Sequence, residues 1–381
     1  MARIETFRGP PGAEDRPWLM TPGPVSTARA VRLAQLADWD AADPDLRRMG
    51  DGVRAELLRL AGAAAEHVCI LVPGALAVEA ALALMASASK RSKTLVIGNG
   101  GAAEDAAALL ERLGRPFLML RVSALQPVTA AEVDGLLAID KSIGQVWLAP
   151  FSADAGVVTP VEPVAQVVKG RGRTLLVDAG VGFGALGMSM ADWPAAALTG
   201  RVDGALESVT GLGFAIVPRR LLGLEARIPA RALDLAAMAA AQETGRQCDL
   251  PGPALAALQA ALAALREEGG PAARLARYRR NSDVLNHGMR ALGFAALTPP
   301  DVTGPLLQGF HAPGDAAFDF TRFAAELRRR GFAAAAGAAG LPPSFRLAVM
   351  GQMDAGVITA AVNAVAESLF ALGVDQATPA A

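Results

Sequence analysis

Hydrophobic positions alternate between helical and strand spacing from about residue 27 onward. Apolar residues recur at helical spacing over 28–38 and 52–62. Short apolar runs bounded by turn residues, at 67–74, 93–101 and 173–180, predict buried strands. This regular alternation predicts an α/β fold with a mostly parallel sheet that is covered by helices on both faces.

The pattern changes after about residue 220, where helices dominate, and a smaller strand-and-helix unit follows. A long helix near residue 270 is predicted to link the two parts. We therefore predict four segments along the chain. They are an N-terminal arm over 1–18, a large domain over 19–270, a small C-terminal α+β domain over 271–372 and a tail over 373–381.

Composition excludes several classes of protein. Of the 381 residues, 52% are hydrophobic and 19% are charged, which excludes an intrinsically disordered chain. The net charge of −1 offers no basic field for nucleic acid or an anionic membrane. The most apolar stretches, 76–89 and 255–265, are too short to span a bilayer, and the first residues lack a signal-peptide pattern. Two distant cysteines, Cys69 and Cys248, form no disulfide framework. We predict a cytoplasmic protein without a nucleic-acid or membrane partner.

Characteristic segments are spread over nearly the whole chain. They include MTPGPV (20–25), DWDAADPDL (38–46), LLVDAGVGFGALGM (175–188), GLGFAIVPRR (211–220) and FRLAVMG (345–351). In this order they resemble the class V aminotransferases of pyridoxal-phosphate (PLP) fold type I, and within these the 2-aminoethylphosphonate–pyruvate transaminase family. The resemblance implies the fold type I architecture, an active site at a dimer interface and PLP chemistry.

The family's chemistry requires a lysine for the Schiff base, a carboxylate for the pyridinium nitrogen and an arginine for the substrate carboxylate. The resemblance places Asp178, at the end of TLLVD, in the carboxylate position, and Arg346, in FRLAVMG, in the arginine position. The carboxyl end of a parallel strand is where ligands bind in such sheets. A turn-capping aspartate and a structural salt bridge are the alternatives for these two residues.

Five further cleft positions follow from the same resemblance, and most have lost the family's functional group. They are Gly74, Ala75, Asn99, Ala102 and Asp154. The phosphate-loop hydroxyls are missing from PGALAVE (73–79), and the stacking aromatic residue after NG is replaced by alanine. FSADAG (151–156) stands where the family has ETTTG, so Asp154 would add a negative charge near a bound phosphate or ring.

The Schiff-base lysine is also missing. The family reads D-x-L-I-S-S-A-N-K-C-x-x-G-V-P-G-F-G-F, whereas this chain, aligned from Asp203, reads DGALESVTGLGF (203–214), about eight residues shorter. The lysines are Lys90, Lys93, Lys141 and Lys169, and none follows Lys169. The sequence thus predicts no catalytic lysine and no bound cofactor.

The leading hypothesis from the sequence is therefore a pseudoenzyme, either a partner subunit of an active aminotransferase or a binder of a small carboxylate or phosphonate. It is expected to form a homodimer, or a heteromer with an active aminotransferase. One alternative is an active aminotransferase or a lysine-independent enzyme of phosphonate or amino-acid metabolism. Such an enzyme would use PLP or pyridoxamine phosphate (PMP) without a covalent bond, or carry out different chemistry in the same cleft, with Asp154 and Asp178 as its acid–base pair. Another is a structural oligomer component without a ligand. Three histidines and two cysteines without ligand spacing predict no metal site.

Overall fold

The protein is represented by a computed structural model that describes residues 9–10, 16–40, 42–74, 76–88, 92–98, 100–193, 195–223, 228, 230–244 and 250–379. The described residues form one large and one small sheet. The strands are β1 (Trp18–Met20), β2 (His67–Pro73), β3 (Lys93–Gly98), β4 (Phe117–Arg121), β5 (Ile143–Leu148), β6 (Thr174–Asp178), β7 (Ala195–Arg201), β8 (Leu212–Pro218), β9 (Leu307–His311), β10 (Phe332–Ala336) and β11 (Ser344–Ala348).

The large sheet has the order β2-β8-β7-β6-β5-β3-β4. Strands β4, β3, β5, β6 and β7 are parallel, and β8 is antiparallel to both of its neighbours. The inner parallel strands β3, β5 and β6 are mostly buried apolar runs; in β6, Leu175, Leu176 and Val177 are each at most 1% exposed. Their carboxyl ends therefore meet at one edge of the sheet, where the site is expected.

Helices cover both faces of this sheet. The helices are α1 (Arg29–Leu33), α2 (Pro44–Leu60), α3 (Ala77–Ala88), α4 (Gly101–Arg112), α5 (Ala130–Ile139), α6 (Val161–Gly170), α7 (Arg219–Leu222), α8 (Leu235–Glu243), α9 (Gly252–Glu268), α10 (Pro271–Ala291), α11 (Phe320–Arg329) and α12 (Ala355–Leu372). Helices α2, α5, α6 and α9 contribute to one apolar cluster and α3, α4 and α8 to another. The predicted α/β architecture is confirmed.

The small sheet has the order β1-β10-β11-β9 and packs with α10, α11 and α12 around a separate apolar cluster. Strand β1 is parallel to β10, with Trp18 opposite Phe332. Residues from the boundary between the predicted arm and large domain thus complete the small sheet. The division near residue 270 remains a prediction, although α10 begins at Pro271 and its Tyr278 lies in the cluster of the small unit.

Helix α12 is long and apolar enough, by length and composition alone, to cross a membrane. Its Ile358, Val365 and Leu369 are buried in the same apolar cluster as residues of α10 and α11. These residues form the buried apolar face of α12, as expected for a helix that packs on the core of a globular unit.

Candidate functional site

A cavity of about 170 Å³ opens at the carboxyl edge of the parallel strands. Its lining includes three residues singled out from the sequence, Ala102, Asp154 and Asp178, and also Gly100, Trp147 and Arg201. Gly74 follows β2 and is not among the lining residues, while Ala75 and Asn99 lie outside the described part of the chain. Typical small-molecule pockets measure about 300–1,000 Å³, so this cavity is narrow.

Asp178 is the last residue of β6 and is 8% exposed. Its Oδ1 accepts hydrogen bonds from the Gly180 backbone N–H at 3.0 Å and from the Thr199 hydroxyl at 3.2 Å. No donor among the described residues contacts Oδ2. Burial raises the pKa of Asp178 to about 6. The two hydrogen bonds and the positive charge of Arg201 lower the pKa, but by less than burial raises it. A cationic N–H facing Oδ2 would stabilise the ionised form.

Arg201 ends β7 and was not identified from the sequence. Its guanidinium forms a two-point pair with Asp203, with Nε–Oδ1 at 3.0 Å and Nη2–Oδ2 at 2.7 Å. This pair raises the pKa of Arg201, so the side chain is a fixed positive charge beside the cavity. No strand was predicted over AAALTGR (195–201); a charged residue at the end of this run was the sequence signal that could have found it.

Asp154 lines the cavity, and Arg346, which is not among the lining residues, contacts Asp154 from the small sheet. The Gly101 backbone N–H, at the start of α4, donates to Asp154 Oδ2 at 2.6 Å. Arg346 Nη1 lies 3.7 Å from Asp154 Oδ1 and donates to the Ala153 carbonyl oxygen at 2.6 Å. The structure thus joins two residues that the sequence had placed in one cleft by resemblance alone.

The loop after β7 changes the interpretation of the missing lysine. Strand β7 covers 195–201, so Asp203 lies beyond its end and cannot begin the family's strand-like D-x-L-I-S-S segment. Aligning the family's final F-G-F with Leu212–Phe214 instead requires no gap, and the lysine position then falls on Gly204. The expected deletion of about eight residues is therefore wrong, whereas the predicted lack of a catalytic lysine remains a prediction.

Gly204 leaves no room for any side chain. A Cβ built on it would lie 2.4 Å from the Val181 carbonyl oxygen and 2.6 Å from Val181 Cα. Because Cβ atoms do not approach backbone atoms so closely, glycine is required by the packing of this loop onto the segment that follows β6.

The same loop is anchored by the buried carboxylate of Glu207, which has a positive φ of 58°. Arg277 Nη2 lies 2.8 Å from Glu207 Oε1, and Arg274 Nη2 lies 3.7 Å from Oε2. Tyr278 and Gln352 donate further hydrogen bonds to this carboxylate. The loop is therefore held against α10 by ion pairs and a hydrogen bond to Glu207.

The described lysines lie at the opposite edge of the sheet. Lys93 begins β3 and pairs with Asp140 at 2.8 Å. Lys141 precedes β5, and Lys169 is in the last turn of α6, just before β6. Lys90 lies outside the described residues. No described lysine therefore reaches the carboxyl end of β6, where Asp178 stands.

The fold is that of the PLP-dependent aminotransferases of fold type I. The chain superposes on pyridoxamine–pyruvate aminotransferase from Mesorhizobium loti with a TM-score of 0.81 and 20% identity, covering 96% of this chain and 95% of that one. No family model matches the chain.

Full-length relatives then narrow the class to a family. The chain is 37% identical over 366 residues to 2-aminoethylphosphonate–pyruvate transaminase of Burkholderia pseudomallei (strain K96243), covering 95% of this chain and 99% of the relative. It is 35% identical over 361 residues to the protein of that name in Pseudomonas putida (strain GB-1), covering 93% and 97%. The chain belongs to the 2-aminoethylphosphonate–pyruvate transaminase family.

The prediction that no cofactor is bound is wrong, because the relatives are aminotransferases, a class that normally uses PLP. The residues fit PLP best at the ring nitrogen, where Asp178 Oδ2 has no donor among the described residues. At the phosphate end, α3 begins at Ala77, and the first-turn backbone N–H groups of a helix have no acceptor within the helix; 73–79 contains no Ser or Thr hydroxyls. Among the described residues no cluster could hold a metal ion.

Proposed function

We propose that this chain is an enzyme of the aminotransferase class that uses PLP or PMP without a covalent bond to lysine. The observation that carries the proposal is the buried Asp178 carboxylate, whose Oδ2 lacks a donor among the described residues while no described lysine lies at that edge of the sheet. The Asp178 carboxylate is suited to the ring nitrogen, and Gly204, which aligns with the family's lysine, has no space for a side chain.

PLP, when bound, supplies an electron-withdrawing ring for reactions of amino groups. Asp178 would hold a proton on the ring nitrogen, because a cation beside this buried carboxyl removes the cost of its ionisation. Backbone N–H groups of the first turn of α3 would bind the phosphate. Ala102 stands where the family has an aromatic residue that stacks on the ring, and its methyl group supplies no such stacking.

Proton transfer then requires another group in place of the lysine. Three ionisable side chains are among the residues that line the cavity: Asp154, Asp178 and Arg201. Asp178 is assigned to the ring nitrogen and Arg201 is paired with Asp203. We therefore assign proton transfer to Asp154, as one member of the acid–base pair suggested by the sequence.

The substrates in this proposal are those named for the relatives. 2-Aminoethylphosphonate would be the amino donor and pyruvate the acceptor, with Arg346 as the partner of the pyruvate carboxylate. A cytoplasmic homodimer is part of the same proposal. It rests on the family membership of the chain.

The first experiment is a titration of the purified protein with PLP, followed by absorbance, with Asp178→Asn as the test variant. We expect saturable binding of one PLP per chain that Asp178→Asn weakens by about 10-fold or more, as expected for loss of a charged hydrogen bond. Asp134→Asn, which removes an exposed carboxylate paired with Arg171, is the matched control and should bind as the wild type does. Borohydride reduction should add no mass to any lysine.

The outcomes separate the alternatives. No PLP binding, or binding that Asp178→Asn leaves unchanged, contradicts the proposed site. A stoichiometric mass gain on one lysine contradicts non-covalent binding. Formation of alanine from pyruvate and 2-aminoethylphosphonate supports the enzyme, whereas PLP binding without alanine formation would leave a non-catalytic, cofactor-binding subunit.

A further inference from the structure

The guanidinium of Arg346 contacts three oxygen atoms of the protein itself. Its Nε donates to the Ala336 carbonyl oxygen at 2.8 Å, and its Nη1 donates to the Ala153 carbonyl oxygen at 2.6 Å. Asp154 Oδ1 lies 3.7 Å from the same Nη1. The side chain of Arg346 is 15% exposed, so these contacts form in a partly desolvated place. An external carboxylate must therefore compete with groups that are already present.

The Asp154 carboxylate is held in this position from a second side. Its Oδ2 accepts the Gly101 backbone N–H at 2.6 Å, and a Cβ on Gly100 would lie only 2.7 Å from Oδ2. The lack of side chains at two successive glycines leaves space for the carboxylate at the positive end of α4. One carboxylate thus bridges the start of a helix and an arginine.

We propose that Asp154 is an internal ligand of Arg346 that occupies the place of a substrate carboxylate and so determines which substrates the site accepts. A keto-acid carboxylate that approaches Arg346 also approaches the Asp154 carboxylate, 3.7 Å from Nη1, and the two negative charges repel each other. The proposal rests on the proposed function only in taking the external carboxylate to be that of a substrate. Asp154 therefore lowers the affinity of the site for carboxylate-bearing substrates.

The test is a calorimetric titration of the protein without PLP, using pyruvate as the probe. Asp154→Asn keeps the shape of the side chain and removes its charge, and we expect it to bind pyruvate about 10-fold more tightly than the wild type, as expected for loss of one partly exposed like charge. Asp234→Asn is the matched control, because Asp234 also accepts a backbone N–H at a helix start but has no ion pair with Arg346. It should bind pyruvate as the wild type does.

Arg346→Ala must abolish the gain: Asp154→Asn with Arg346→Ala should bind no more tightly than Arg346→Ala alone. Equal or weaker binding by Asp154→Asn, a gain that survives Arg346→Ala, or no pyruvate binding by any variant would each overturn the proposal. If Asp154→Asn does not fold, Asp154→Thr, with the family's residue, replaces it. The absorbance titration would show a failure to bind PLP. The pyruvate titration is made without PLP, so its result does not depend on that outcome.

Discussion

Substitution of Gly204 tests whether the lysine position is closed by packing. In Gly204→Ala the new Cβ would lie 2.4 Å from the Val181 carbonyl oxygen and 2.6 Å from Val181 Cα. The obstacles include backbone atoms, which cannot rotate away as a flexible side chain can, so the loop or the segment after β6 must move. Overpacking of this kind costs about 1–3 kcal/mol, and contact with backbone places the expected loss at the upper end.

The assay is urea unfolding of the wild type, Gly204→Ala and a control, Gly187→Ala. No atom lies within 4 Å of a Cβ at Gly187, so the control should change the free energy of unfolding by less than about 0.5 kcal/mol. Gly204→Lys should likewise be destabilised and should gain no covalently bound PLP after borohydride reduction. A Gly204→Ala protein as stable as the control, or stoichiometric PLP on the new lysine, would refute the packing argument.

Three further predictions concern buried groups. Glu207→Gln should lower the free energy of unfolding by about 3–5 kcal/mol in urea, because it leaves Arg274 and Arg277 without one of their buried partners; a loss below about 1 kcal/mol would contradict this. Burial raises the pKa of Asp178 from 3.8 to about 6, so the stability this group contributes is lost as pH rises through that interval. Asp178→Asn without cofactor should therefore match the wild type near pH 4 and exceed it at pH 7 by roughly 3 kcal/mol, and equal stability at pH 7 would disprove the shift. Burial also raises the pKa of Cys69 to about 12, so in a Cys248→Ser variant a thiol reagent should label Cys69 only after urea unfolds the protein; fast labelling of the native state would count against this.

The architecture was predictable because it depends on local periodicity and on ordered motifs. Alternating helical and strand patterns predicted the parallel sheet with helices on both faces, and the position of Asp178 at the end of TLLVD predicted a place at the carboxyl edge. The loop after β7 was misaligned because Asp203 imitates the first residue of the family pattern. The observed end of β7, at Arg201, showed that Asp203 lies beyond the strand and therefore cannot begin the strand-like part of that pattern.

The sequence by itself determined the fold class, the family and the absence of lysine beyond Lys169, since these depend on residue identity and order. The tertiary structure decided which side chains meet: Asp154 with Arg346, Glu207 with α10, and β1 with β10. It also decided that Val181 leaves no space for a side chain at Gly204. The physical reason is that these contacts join segments distant in sequence, and local patterns of hydrophobic and polar residues carry no information about the distance between such atoms.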